Sequence, residues 1–122
     1  MRSQSVTPIA DVAYVRVVLA WYVELPHTPR RASIEDEALA RSLRQRRVPL
    51  EVVEAALLLG YLRRSLRPPQ ALPLGRIRSL AYFSPLIAEL QQMPLKPGYL
   101  HYLRRKARAV LAQEADPDRS PQ

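Results

Sequence analysis

The chain contains no cysteine. That excludes disulfide frameworks, cysteine nucleophiles and thiolate metal sites, and it fits a reducing compartment. Its three glycines, Gly60, Gly75 and Gly98, lie too far apart to form a phosphate-binding loop. The two histidines, His27 and His101, have no acidic cluster near them in sequence, so neither a metal site nor a Ser/His/Asp triad has support. His101 and Arg104 do form an H-x-x-R, but no tyrosine lies beyond Tyr102 to act as a nucleophile. A long hydrophobic run is also missing. The most apolar early stretch, Ile9 to Leu25, carries Asp11, Arg16 and Glu24, which are costly in a bilayer and foreign to the core of a signal peptide. These absences lead to the expectation of a soluble cytoplasmic protein with no enzymatic activity, cofactor, metal or membrane partner.

What remains is a chain of 122 residues, 48% hydrophobic and 25% charged. That is the size of one domain and the composition of a globular one. There are 19 Lys plus Arg against 11 Asp plus Glu, a formal charge of +8, and such a surplus points to a polyanionic partner. Arginine supplies 17 of the 19 cations. A chain rich in Ala, Leu, Pro and Arg is what a GC-rich genome produces without selection on binding, so the total is discounted and the placement matters more.

Hydrophobic periodicity predicts helices, with residues 1–6 a flexible N-terminus, 7–113 a single helical domain and 114–122 a disordered tail. Thr7 and Pro8 form a plausible N-cap and first position. The helix they open runs to about Val23 and looks central to the core, because Ile9, Val12, Val15, Leu19 and Tyr22 keep helical spacing while Val18, Trp21 and Val23 widen the stripe. Pro26 and Pro29 break the chain. Ser33 caps a second helix that ends near Gln45 and turns Ala38, Leu39 and Leu43 inward. Arg46, Arg47 and Val48 make a tight connection to Pro49, which opens the longest apolar helix. Residues 67–74 hold three prolines and form a loop. Ile77, Leu80, Phe83, Ile87 and Leu90 then predict a fourth helix, either kinked at Pro85 or split there with Ser84 as cap. Tyr99 to about Gln113 is the last helix, with Leu100, Leu103, Ala107, Val110 and Leu111 on one stripe. The expected fold is all-α, a compact bundle of about five helices.

Charge is concentrated between Arg41 and Arg108, where fourteen cations face three acids, Glu51, Glu54 and Glu89. The cations form four clusters: Arg41/Arg44/Arg46/Arg47, Arg63/Arg64/Arg67, Arg76/Arg78 and Arg104/Arg105/Lys106/Arg108. Many fall at helix C-termini, where they offset the helix dipole, but their number exceeds that need and suits bidentate pairing with phosphates. The phosphate contacts expected are Arg44, Arg46, Arg47, Arg63, Arg64, Arg67, Arg104, Arg105, Lys106 and Arg108. Tyr99 and Tyr102, directly before the last basic run, are the aromatics expected to stack on unpaired bases. The second and third helices have the spacing of a helix-turn-helix, but Glu51 and Glu54 occupy the first turns of the would-be recognition helix.

The order of elements from Ile34 to Leu90 resembles the helical C-terminal domain of DnaD-type bacterial replication initiation proteins. The likeness rests on Glu37-Ala-Leu-Ala-Arg-Ser-Leu43, Val48-Pro-Leu-Glu-Val-Val-Glu-Ala-Ala56 and Ser79-Leu-Ala-Tyr-Phe83, and it covers about half the chain. It implies DNA engagement by the final helix of that domain and the segment C-terminal to it, here Tyr82, Phe83 and the Arg104 to Arg108 run, in replication of a chromosome or mobile element. The function expected is phosphate-led binding of single- or double-stranded DNA, with RNA a further option. The rival is a small adaptor whose first helix, residues 7–23, or the exposed side of Leu57 to Leu62, docks on a larger protein or RNA-protein assembly; the first helix could instead pair with a second copy of the chain.

Overall fold

In the computed structural model, residues 9–115 are described. The order is α1 (Ile9–Glu24), α2 (Ile34–Gln45), α3 (Leu50–Ser65), a 3-10 turn (Leu80–Phe83), α4 (Ser84–Gln92) and α5 (Tyr99–Ala115). No strand occurs among the described residues, and the bundle is all-α. The Thr7–Pro8 start, the N-terminal segment 1–6 and residues 116–122 of the expected tail lie outside the described residues. Glu114 and Ala115, expected in that tail, belong to α5.

The centre of the bundle is α3. Val53, Ala55, Ala56, Leu57, Gly60, Tyr61 and Leu62 are buried on several sides of it, and it packs against α1, α4, α5 and the 3-10 turn. The first helix is not central. Among its described side chains it buries only Tyr14, Val18 and Tyr22, one stripe at four-residue spacing, against α2 and α3. Val12, at 42% exposure, Ala13, Arg16 and Ala20 face outward.

Local chemistry sets most boundaries. Ser33 and Asp36 form a capping box at the start of α2: the Ser33 Oγ accepts the Asp36 N–H at 3.0 Å, and Asp36 Oδ2 accepts the Ser33 N–H at 2.9 Å. The buried stripe of α2 is Asp36, Ala40 and Leu43; Ala38, expected inside, is exposed. Past the end of α2 the Val48 N–H reaches the Leu43 carbonyl and the Arg47 N–H the Arg44 carbonyl, which is a Schellman closure. Arg47 takes the left-handed position with φ of 61°, where glycine is the usual occupant. The Tyr14 hydroxyl donates to the Val48 carbonyl at 2.7 Å and fastens α1 to this turn.

The fourth helix starts later than its spacing predicts. Ile77 to Ser79 is non-helical, Leu80–Phe83 forms a 3-10 turn, and α4 begins at Ser84 with Pro85 in its first turn. Ser84 makes no side-chain cap; Phe83 holds that position. Two long-range hydrogen bonds explain the departure. The Ile77 N–H donates to the His27 carbonyl at 2.9 Å, and the Leu80 N–H donates to Asp36 Oδ1 at 2.9 Å. These tertiary bonds fix the backbone of 77–80 in place of helical ones.

Three buried tyrosines give the fold an alkaline limit. Burial, then the nearby Asp36 carboxylate, pushes the Tyr22 phenol up to about 12. Burial and its hydrogen bond to Glu114 push Tyr61 up to about 12. Burial raises Tyr14 against the opposing pull of Arg44 and Arg46. Because the folded-state values lie above the ordinary 10.0, the stabilisation is complete below pH 10 and is lost as pH rises toward 12. The expected result is cooperative unfolding within that interval, with the late part of the phenolate absorbance rise coinciding with loss of helical circular dichroism. Full phenolate formation in a still-helical chain would contradict it.

Candidate nucleic-acid interface

The acids of the chain neutralise several of the expected phosphate contacts. Arg44 Nε donates to Asp11 Oδ1, and its guanidinium lies 5.7 Å from the Tyr14 ring centroid, so this residue ties α2 to α1. Arg46 and Arg47, in the turn after α2, are exposed and join no ion pair among the described residues. A cleft of about 600 Å³ opens beside them, but Asp11 and Glu51 line it together with Arg44 and Arg47, which leaves its field mixed.

At the end of α3, Arg63 pairs with Glu89 at 3.4 Å on the surface. Arg64 and Arg67 brace the loop after α3. Arg64 donates to the Gly75 carbonyl at 2.6 Å and to the Tyr82 hydroxyl at 3.4 Å, with its guanidinium 5.5 Å from the Tyr82 ring. Arg67 donates to the Leu72 carbonyl at 2.6 Å. Guanidiniums bound to loop carbonyls hold a backbone shape and have fewer N–H groups left for an external anion.

The helix-turn-helix reading fails on burial. Most of α3 is enclosed by α1, α4 and α5, and Glu54 in its first turns is already paired. A recognition helix must lie free in a groove.

Helix α5 is different. It packs on α3 through Leu103, Ala107 and Val110, and two polar clamps accompany that seam. Arg104 grips Glu54 with both Nε and Nη2, at 2.7 and 2.8 Å, and Glu54 raises the pKa of that guanidinium. The Tyr61 hydroxyl donates to Glu114 at 2.9 Å. Arg104 is thereby committed to the fold. Arg105, Lys106 and Arg108 are exposed and form no ion pair among the described residues. Tyr99 is half-buried and stacks on Tyr102, rings 6.3 Å apart and inclined by 22°. Tyr102 is 46% exposed and lies one helical turn before Arg105 and Lys106.

The structure also gathers cations that the sequence pattern did not place in the site. Arg30, Arg31, Arg76 and Arg78 are all exposed. The bond from the Ile77 N–H to the His27 carbonyl brings the 27–31 loop against residues 76–78, and Pro29, Arg76, Ile77 and Arg78 border a recess of about 410 Å³. The available signal was the charged–apolar–charged order of Arg76, Ile77 and Arg78, which is the two-residue period of an extended chain. A helical reading of Ile77 hid it.

No helix among the described residues is long and apolar enough to cross a membrane. Comparison of the chain with protein-family models, with curated protein sequences and with solved structures gave no match.

Proposed function

We propose that this protein is a non-enzymatic nucleic-acid-binding module that holds DNA chiefly through its phosphates, with the outward face of α5 as the contact surface, in replication or in the handling of a mobile element. The observation that carries the reading is selective neutralisation. The chain uses its own acids on Arg41, Arg44, Arg63 and Arg104; among the described residues Arg105, Lys106 and Arg108 have no acidic partner, and unlike the equally unpaired Arg46 and Arg47 they adjoin no acid-lined cleft. Unpaired guanidiniums beside an exposed tyrosine suit a phosphate backbone with limited base stacking. The DnaD-type likeness, which points to Tyr82, Phe83 and the Arg104 to Arg108 run, supports DNA over RNA.

The test is fluorescence anisotropy of nuclease-treated protein with single-stranded and duplex DNA and RNA across a salt series. Each lost duplex phosphate contact lowers the log–log salt slope by about 0.9. The expected result for Arg105→Ala/Lys106→Ala/Arg108→Ala is a slope smaller by up to about 2.7, with affinity reduced alike for unrelated sequences. Arg104→Ala should leave the slope unchanged, since that guanidinium serves Glu54. Unaltered binding by the triple variant would remove α5 from the interface.

A second reading draws on α1, whose outward face presents Val12, Ala13 and Ala20 beside the charges of Arg16 and Glu24. An apolar strip of that kind suits a protein partner or a second copy of the chain, and light scattering across a concentration series tests the second copy.

A further inference from the structure

The four loop arginines sit on a platform that the core holds rigid. Thr28 is buried, and its hydroxyl contacts the carbonyls of Tyr22 and Leu25, at 2.9 and 2.6 Å, which closes the end of α1 and fixes the loop before Pro29. His27 takes a left-handed backbone, φ of 69°, that aims its carbonyl at the Ile77 N–H. Ile77 is sunk in the core at 3% exposure. Its neighbours Arg76 and Arg78 must then emerge together on the outer side, about 7 Å apart for an i, i+2 pair in extended chain. That interval is close to the spacing of neighbouring phosphates along one nucleic-acid strand. Arg76 has a long contact of 3.5 Å to the Thr28 carbonyl, and none of Arg30, Arg31, Arg76 or Arg78 forms an ion pair among the described residues.

We infer that the recess between Pro29 and Arg76–Ile77–Arg78 is a second nucleic-acid site, which takes the sugar–phosphate backbone of a single strand, with Arg76 and Arg78 on successive phosphates and Arg30 and Arg31 on the flanking ones. The identity of the polyanion rests on the reading proposed above; the anion site itself does not. The shape favours a single strand. A recess of about 410 Å³ bordered by Pro29 and the Arg76–Ile77–Arg78 segment admits a sugar–phosphate unit of a flexible strand, whereas a duplex backbone, stiff and flanked by its partner strand, reaches only the rim. The support beneath the recess is formed by Thr28, His27 and Ile77 before any ligand arrives, so little ordering is needed on binding.

Two experiments test it separately from the α5 reading. In the first, inorganic pyrophosphate is titrated into the ¹⁵N-labelled chain while the arginine Nε–H signals are followed. Saturable shifts at Arg76 and Arg78, absent for Arg16 and Arg41, are expected, and equal small shifts at all exposed arginines would overturn the site. In the second, Arg76→Ala/Arg78→Ala and the α5 triple variant are compared for binding of an oligothymidine single strand and a duplex of equal length, after thermal melts confirm that both are folded. The recess variant should lower the single-strand salt slope by about 1.4, from about 0.7 per phosphate, and leave the duplex slope in place. Equal loss for duplex and single strand would overturn the strand assignment, and so would recess shifts with pyrophosphate alongside a wild-type chain that binds no oligonucleotide. An unchanged single-strand slope in the recess variant, with a reduced duplex slope in the α5 variant, would reject the recess while sustaining α5.

Discussion

Gly60→Val is expected to destabilise the protein by more than about 3 kcal/mol and to shift its urea midpoint far below that of the wild type. A Cβ at Gly60 would lie 2.6 Å from Phe83 Cε1 and 2.8 Å from Cδ1, with Leu86 Cδ1 at 3.1 Å. Phe83 has little room to retreat. Its ring is fully buried, and the Tyr22 ring meets it edge-on, with centroids 6.3 Å apart and planes 83° apart. On another side Tyr82 packs at 5.1 Å and 79°. A glycine inside a helix gives up roughly 1 kcal/mol relative to alanine, so by propensity alone Gly60→Ala would stabilise α3. The contact reverses that sign, because overpacking a closed core costs about 1–3 kcal/mol. Gly60→Ala should therefore be mildly destabilised and Gly60→Val severely so. Trimming the opposing ring with Phe83→Leu should recover part of the loss in the Gly60→Ala background, since the two sites share one contact. An alanine variant more stable than the wild type would mean that the 3-10 turn packs farther from α3 than the geometry gives.

The helices that announced themselves were those with local stop and start signals. Ser33 with Asp36, Pro49, the prolines of the 68–73 loop and the Pro97–Gly98 pair act within a few residues, and they set the boundaries of α2, α3 and α5. Helix α1 was readable as a helix but not in its orientation. Valine and leucine on nearly every side leave the pattern without a preferred face, and the choice fell to tyrosines whose hydroxyls or ring edges meet partners elsewhere, Tyr14 on Val48 and Tyr22 on Phe83. Residues 77–83 misled because Ile77, Leu80 and Phe83 keep helical spacing. The bonds that hold them non-helical come from His27 and Asp36, far away in the chain. The same limit governs the charges. Asp11 with Arg44, Glu54 with Arg104 and Glu89 with Arg63 are 33, 50 and 26 residues apart. Which arginines are neutralised is thus a tertiary fact, and so is the meeting of Arg30 and Arg31 with Arg76 and Arg78.

Asp36→Ala should be the most destabilising of the polar substitutions, by about 3 kcal/mol or more, because one 2%-exposed carboxylate serves two elements at once. Its Oδ2 closes the capping box on the Ser33 N–H, and its Oδ1 takes the Leu80 N–H at the entrance to the 3-10 turn. Alanine removes both acceptors and leaves a buried backbone donor without a partner, which costs about 1–3 kcal/mol by itself. Ser33→Ala removes one hydroxyl acceptor and should cost about 1 kcal/mol. Asp36→Asn lies between them, since its amide oxygen can accept from one N–H while its NH₂ must face the other donor. The expected order of urea midpoints is wild type, Ser33→Ala, Asp36→Asn, Asp36→Ala, with the Leu80 amide losing hydrogen-exchange protection in Asp36→Ala and keeping it in Ser33→Ala. The consequence for binding is local. Leu80 closes the segment that carries Arg76 and Arg78, so Asp36→Ala, studied where it remains folded, should weaken the pyrophosphate response of the recess while Arg105 and Arg108 on α5 keep their behaviour. Equal destabilisation by Ser33→Ala and Asp36→Ala would show that the bond to Leu80 contributes nothing, and would leave the Ile77 bond to His27 as the tie that positions Arg76 and Arg78.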